Sequence, residues 1–172
     1  MKTIRLTTLV AVTALFSSVL VVNAKADPSA ADILNDLHTT NRAEIHMGQL
    51  AQQKGSASDV RDYGKTLESD HTSADKKVAD VAQKEGITLK EPSEGIGMKM
   101  TMKKLDSSSG VDFDKAFAND MVEDHKKDIN KLQSAQKSGS LPSDVRELIA
   151  DLLPTLQQHL ETAQKISGQY KS

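Results

Sequence analysis

Residues 143–166, SDVRELIADLLPTLQQHLETAQKI, carry the clearest helical pattern in the sequence. The apolar residues of this stretch recur every three or four positions, at Val145, Leu148, Leu152, Leu156, Ala163 and Ile166. That spacing puts them on one stripe of an α-helix, with mostly polar residues on the other faces. The stretch is therefore predicted to be an amphipathic helix that packs its stripe against other helices.

Three earlier stretches repeat this spacing. Their apolar positions are Ile33, Leu37, Met47 and Ala51, then Val60, Leu67, Ala74 and Val78, and then Phe117, Met121, Ile129 and Leu132. The composition agrees, because strong helix formers dominate and the chain of 172 residues has no Trp and no Cys. We therefore predict an all-α chain with four long helices.

Serine and glycine residues mark the ends of these helices. Ser-x-x-Asp sequences begin at Ser29, Ser56 and Ser109, where the serine oxygen can accept a hydrogen bond from a free amide. Ser140, followed by Pro142, gives the fourth start. A glycine closes each helix, near positions 55, 86, 139 and 168, because glycine readily adopts the left-handed conformation. The predicted helices are 29–54, 56–85, 109–138 and 140–167.

The lengths of the connections predict the topology. Tight turns join the first two helices and the last two, so each pair forms an antiparallel hairpin. Residues 87–108 form a long connection between the pairs, and residues 97–105 are a candidate for a short helix within it. Two antiparallel hairpins joined by one long crossover is the ferritin-like connectivity. We therefore expect a ferritin-like four-helix bundle over residues 27–172.

Residues 1–26 have the pattern of an export signal. Lys2 and Arg5 precede an apolar run over residues 6–22, and Ala24-Lys25-Ala26 fits a cleavage site. The run is short for a membrane span, so we expect cleavage near Ala26, no span in the mature chain and a periplasmic or secreted protein. Retention of the signal as a membrane anchor is the alternative.

Charge argues against a nucleic-acid partner. The whole chain has a net charge of −2, and cleavage removes three basic residues and no acid, which leaves −5. A mildly acidic exported domain is a poor candidate for nucleic-acid binding.

One ionisable residue interrupts each apolar stripe near the middle of its helix. These residues are Glu44, His71, His125 and His159. Counting residues from the turns places all four within about two helical turns of about 5.4 Å each. Ionisable groups in an apolar core are costly unless they are paired, neutral or bound to a metal. A carboxylate and three imidazoles suit zinc, iron, copper or manganese, so we predict a metal site.

Three more acids are candidates for extra ligands or for residues that orient the histidines. Glu68 lies three residues before His71, the Glu-x-x-His spacing of di-iron bundles. Asp70 adjoins His71, and Asp128 follows His125 by three residues. The other two histidines, His38 and His46, lie off the inner stripe and are expected at the surface.

Two simpler interpretations stand beside the metal site. A single core histidine is most often a satisfied hydrogen-bonding residue, and Glu44 would then be its salt partner. Met98, Met100 and Met102 alternate in a pattern that exported copper proteins use for Cu(I), but methionine is also adaptable filler where a crossover packs on a bundle. We prefer packing for these methionines.

Several motifs resemble those of an exported bacterial family known as domain of unknown function 4142. They are Glu44-Ile-His-Met-Gly-Gln-Leu-Ala51, Ser69-Asp70-His71, Phe113-Asp114, Asp124-His125 and Leu153-Pro154-Thr-Leu-Gln-Gln-His159-Leu. The resemblance covers roughly residues 30–166 and implies a ferritin-like bundle, usually periplasmic or associated with the cell envelope. It implies little about activity.

The chain departs from di-iron enzymes of the ferritin-like kind. His125 stands where a Glu is expected, and Leu156 stands where a second Glu-x-x-His would need Glu. A mononuclear site, or a lost one, fits better than a di-iron site.

Three functions follow from the sequence. The first is a periplasmic metal-binding protein for metal handling or envelope stress protection. The second is a non-enzymatic structural or stress-interaction protein in which the same residues form a buried polar network. The third is an oxidoreductase that acts on peroxide or oxygen at an iron or manganese site.

Overall fold

The computed structural model describes residues 28–93, 95–137 and 139–170. The predicted export signal lies outside these residues. The described chain contains five α-helices and no β-strand, which confirms the all-α prediction. The helices are α1 (Ala30–Lys54), α2 (Ser58–Lys84), α3 (Ile96–Ser107), α4 (Gly110–Lys137) and α5 (Ser143–Gly168). Across this part of the chain, no helix is both long and apolar enough to cross a bilayer.

The four long helices form a bundle of two hairpins. Helix α1 packs on α2, α4 packs on α5, and the hairpins meet where α2 contacts α5 and α1 contacts α4. Helix α4 begins beside the α1–α2 turn, where Gly110 pairs with Gly55 in an isolated bridge. The connection after α2 therefore runs the length of the bundle, and α3 packs on α1 and α4 along it. This is the predicted arrangement of two antiparallel hairpins and one long crossover.

Two of the predicted helix starts are displaced. Ser29 caps α1 as expected, in a reciprocal pair of hydrogen bonds with Asp32. Helix α2 begins at Ser58 instead of 56, because the backbone amides of Ser56 and Ala57 donate to the Asp114 carboxylate of α4. Helix α5 begins at Ser143 instead of 140, with Pro142 at its cap position.

The glycines do not all act as predicted. Gly86 has a φ of 66° and follows α2, as a left-handed helix end requires. Gly55 has a φ of −59°, and Gly168 is still helical, so neither closes its helix in the predicted way. Inside the helices, a Cβ added to Gly48 or to Gly64 would lie 2.6 Å from the carbonyl oxygen of the other residue. These two glycines let α1 and α2 approach closely.

A polar layer divides the core into two apolar clusters. The cluster nearer the start of α1 includes Ile33, Leu34, Val78, Leu132, Val145 and Ile149. The cluster nearer the α1–α2 turn includes Met47, Leu67, Phe113, Phe117, Met121 and Ile166. The buried polar residues between them are Asn41, Glu44, His71, His125 and His159. The fold therefore places five polar side chains together in the middle of the bundle.

Candidate metal centre

The histidines of the polar layer converge from three helices. Helix α2 supplies His71, α4 supplies His125 and α5 supplies His159, and each is 3% exposed or less. The ring centroids lie 5.2 to 5.9 Å apart. One ring nitrogen from each residue lies within 4.8 Å of the other two. The structure thus brings together three of the residues that the sequence places on the inner stripes.

Hydrogen bonding fixes the tautomer of His125. Its Nδ1 lies 3.0 Å from the backbone carbonyl oxygen of Met121, one turn earlier in α4. A carbonyl oxygen only accepts, so Nδ1 carries the hydrogen and donates it. The other nitrogen, Nε2, is left with a lone pair.

The tautomer of His159 follows in the same way. Its Nε2 lies 3.0 Å from Oδ2 of Asp70, so Nε2–H donates to the carboxylate and Nδ1 keeps the lone pair. This Nδ1 lies 3.3 Å from Nε2 of His125. When both rings are neutral, two lone pairs face each other there with no hydrogen between them. The contact needs a proton or a metal cation to become favourable.

His71 presents a third free lone pair. Its Nδ1 donates to the side-chain oxygen of Asn41 at 2.9 Å, which leaves Nε2 without a hydrogen. Within the described ranges, this buried Nε2 has no hydrogen-bond partner. Each of the three imidazoles therefore has one N–H held by the protein and one lone pair free. Metal-binding histidines have this arrangement, because a ligand nitrogen must be unprotonated.

Glu44 of α1 completes the layer. Its side chain is 1% exposed, and its Oε2 has no hydrogen-bond partner among the described residues. That oxygen lies 3.9 Å from Nε2 of His71, and Oε1 lies 3.8 Å from Nδ1 of His125. Two unpartnered atoms, one on Glu44 and one on His71, therefore lie next to each other in the core.

Burial favours the neutral form of every group in the layer. It raises the pKa of Glu44 well above 4.5, and the charges of Asp124 and Asp128 raise it further. Burial lowers the pKa of His125 to about 4, with a further contribution from His159. The pKa values of His71 and His159 are also lowered, mainly by burial. A proton shared between the rings is therefore disfavoured near neutral pH.

A metal ion fits these residues. Two nitrogens bound to one ion at 2.0–2.1 Å with tetrahedral angles are about 3.3 Å apart, which matches the contact between His125 and His159. A nitrogen of His71 lies within 4.8 Å of one nitrogen of each of the other two rings, and Oε2 of Glu44 lies 3.9 Å from Nε2 of His71. A cation would satisfy the unpartnered atoms of both residues at once.

The three additional acids have different places. Asp70 orients His159, as described above. Asp128 borders a cavity that also touches His71 and His159, and burial with the charge of Asp124 raises the pKa of Asp128 to about 6. Glu68 is not brought into the layer, because its carboxylate accepts from the side-chain amides of Gln49 and Gln52 at 2.8 and 2.6 Å. The three-residue spacing from His71 turns Glu68 toward α1 instead.

The two histidines outside the layer, His38 and His46, were both expected at the surface, and one of them is. His46 is exposed, as predicted. His38 is half-buried, because its Nδ1 pairs with Asp75 of α2 at 2.7 Å. Sequence reasoning missed Asn41, which holds His71; the available signal was its position on the buried face of α1, three residues before Glu44.

The three methionines of α3 do not share a face. Met102 is buried and Met98 packs against the same apolar cluster, whereas Met100 is 67% exposed. Residues four apart lie on one side of a helix and the residue between them points away. This placement agrees with packing of the crossover on the bundle.

Comparison with known proteins gives a family. The family model described as Domain of unknown function (DUF4142) matches residues 20–166. The chain belongs to this family. No curated protein sequence matches it.

A solved structure shares the fold. The chain is similar to CopM in the Cu(II)-bound form, with a TM-score of 0.68 and 14% sequence identity. The similarity covers 84% of this chain and 99% of CopM. At this identity it establishes a common fold and no more.

Proposed function

We propose that the protein binds one divalent transition-metal ion in the polar layer, with His71, His125, His159 and Glu44 as ligands. Asp70 holds His159 in the binding tautomer, and Asn41 and the Met121 carbonyl do the same for the other two rings. The observation that carries the proposal is the set of three lone pairs, each left free by a hydrogen bond on the opposite ring nitrogen.

The donor set favours copper(II) or zinc(II). Imidazole and carboxylate ligands suit both ions, and affinity for such sites is highest at copper among the first-row metals. The fold shared with a protein that has a Cu(II)-bound form supports copper as the first ion to test. Glu68 is not needed in this site, and Asp128 lies beside it.

We infer metal handling rather than rapid catalysis. Four protein ligands would fill the tetrahedral shell of zinc(II), whereas catalytic zinc sites keep a position open for substrate. If residues 1–26 direct export, the protein would bind its metal in the periplasm or outside the cell. Binding a free redox-active ion there would protect the cell envelope.

The rival function is a buried polar network that never binds metal. Such a network stabilises a fold when all its members are satisfied, and an incompletely satisfied one is costly. Here a contact between two lone pairs and unpartnered atoms on Asn41, Glu44 and His71 remain within the described residues. The lone-pair contact and the unpartnered acceptor atoms of Glu44 and His71 favour a cation, whereas the unpartnered Nδ2 of Asn41 is a donor that a cation does not satisfy.

Metal content of protein purified without a His-tag tests the proposal. After exposure to one equivalent of Cu²⁺ or Zn²⁺ and desalting, we expect one ion per chain and a higher melting temperature. A His71→Asn, His159→Asn double variant should retain neither effect, while His46→Asn, a change at an exposed histidine, should retain both. A wild-type chain that stays metal-free, with unchanged melting, would reject the proposal.

A further inference from the structure

A cavity lies between the four long helices beside the polar layer. It has about 40 Å³ of space for water-sized molecules, enough for a small number of waters. At its inner end it touches His71 and Asn41, and both residues carry unpartnered buried nitrogens. The cavity therefore ends at one of the proposed ligands.

The other end of the cavity adjoins a surface groove. Four residues border both spaces, Asp36 and Thr40 of α1 and Asp128 and Lys131 of α4. The groove continues past Asp124 to Gly95 and Met98 at the start of α3. The cavity and the groove thus adjoin at the seam between α1 and α4.

The charges around the cavity favour cations. Its lining includes three acids, Asp36, Asp70 and Asp128, and one base, Lys131. Lys131 forms an ion pair with Asp36, and both side chains are about half exposed. Because the pair neutralises one acid, Asp70 and Asp128 are left to give the space a negative potential.

We infer that this cavity is the path by which the metal ion reaches the histidines, with Asp128 as a transit ligand and the Asp36–Lys131 pair as its outer barrier. The inference rests on the proposed function. Asp128 lies between the surface groove and the space that His71 borders, so it can exchange a carboxylate oxygen for waters of the ion. Lys131 opposes an incoming cation by its charge.

Association rates test this path separately from binding itself. Stopped-flow mixing of the metal-free chain with Cu²⁺ can be followed by quenching of Tyr63, whose ring centroid lies 6.2 Å from that of His159. We expect Asp128→Asn to slow association about tenfold and Lys131→Met to accelerate it, with one ion per chain bound in both.

The Lys77–Asp151 ion pair provides the matched control. It joins α2 and α5 with similar exposure but does not line the cavity. Lys77→Met and Asp151→Asn should leave the rate unchanged within about twofold. Equal rates in the wild type and Asp128→Asn, or equal slowing in Asp151→Asn, would overturn the path while leaving the site intact. A wild-type chain that binds no Cu²⁺ would overturn both.

Discussion

Two buried carboxylates in this protein have opposite surroundings. Asp114 and Glu44 are both 1% exposed. Asp114 accepts from the backbone amides of Ser56 and Ala57 at 2.9 Å each and from the Tyr170 hydroxyl at 3.2 Å. Glu44 has an oxygen with no partner in the described part of the chain. Burial is therefore equal, and hydrogen bonding is what separates the two.

The difference indicates two kinds of role. Asp114 fastens the start of α4 to the α1–α2 turn, and its three donors account fully for its burial. Burying Glu44 removes its hydration, and its Oε2 gains no hydrogen bond to offset that loss. A bound cation would explain why a glutamate stands at this position. Substitutions at these sites and in the polar layer should therefore differ in their effect on the free energy of unfolding.

Replacement of Asp114 should have the largest effect. Asp114→Asn removes the charge that two amides share and places an amide group against another donor. We expect a loss of roughly 2 to 3 kcal/mol, with metal stoichiometry unchanged, measured by urea denaturation of the metal-free protein. Asp112→Asn, an exposed acid on the same helix, is the control. Equal stability of the two variants would show that Asp114 does not fasten the hairpins.

Acid should destabilise the metal-free protein through the histidines. Burial lowers the pKa of His125 from 6.5 to about 4, so its contribution to stability is complete above pH 6.5 and is lost as pH falls toward 4. Between pH 6.5 and 5 we expect the wild type to lose about 1.5 kcal/mol more than His125→Asn, because the slope approaches about 1.4 kcal/mol per pH unit only below pH 6.5. Parallel stability curves for the two proteins in the presence of a chelator would contradict this.

Replacement of Glu44 should barely change the metal-free fold. Because burial raises the pKa of Glu44 well above 4.5, Glu44→Gln exchanges one neutral group for another of the same shape. We expect the stability to change by less than about 1 kcal/mol. Metal affinity should fall by at least the roughly 10–100-fold that is typical of losing a supporting partner, as measured by competition with a chelator. Unchanged affinity would remove Glu44 from the site.

Replacement of Asp70 should have the smallest effect on stability. This acid has a 41% exposed side chain and makes its hydrogen bond to His159 at the edge of the layer. We expect Asp70→Asn to change the metal-free stability by less than about 0.5 kcal/mol. Metal affinity should still fall roughly 10–100-fold, because His159 loses the group that fixes its tautomer. Asp62→Asn, at an exposed position of the same helix, should change neither quantity.

Helical periodicity in the sequence predicted which residues enter the polar layer, but it did not predict all of their partners on other helices. Glu44, His71, His125 and His159 could be placed because each breaks an apolar stripe, and helical periodicity fixes the face on which a residue lies. The amide partners of Glu68 on α1 could not be predicted, because a three-residue spacing leaves its side chain on an adjoining face whose neighbours depend on where α1 packs. Helical periodicity shows which face of a helix a residue occupies, but it does not show which other helix packs against that face.

Asp114 could not have been assigned from the sequence. It stands four residues after the start of α4, close to the helix N-terminus where an acid is ordinary, and its partners lie 56 to 58 residues away along the chain. The same long-range contact moved the start of α2 from the predicted position 56 to Ser58. Contacts of this kind depend on how the two hairpins are docked, which local patterns do not encode.

The number of imidazoles around the bound ion distinguishes a metal centre in the polar layer from binding elsewhere. Protein labelled with ¹⁵N-histidine and loaded with one equivalent of Cu²⁺ can be examined by pulsed electron paramagnetic resonance, which counts the coupled ring nitrogens. We expect three imidazoles in the wild type and loss of that signal in the His71→Asn, His159→Asn variant. One imidazole, or a spectrum that the double variant leaves unchanged, would contradict a metal centre in the polar layer.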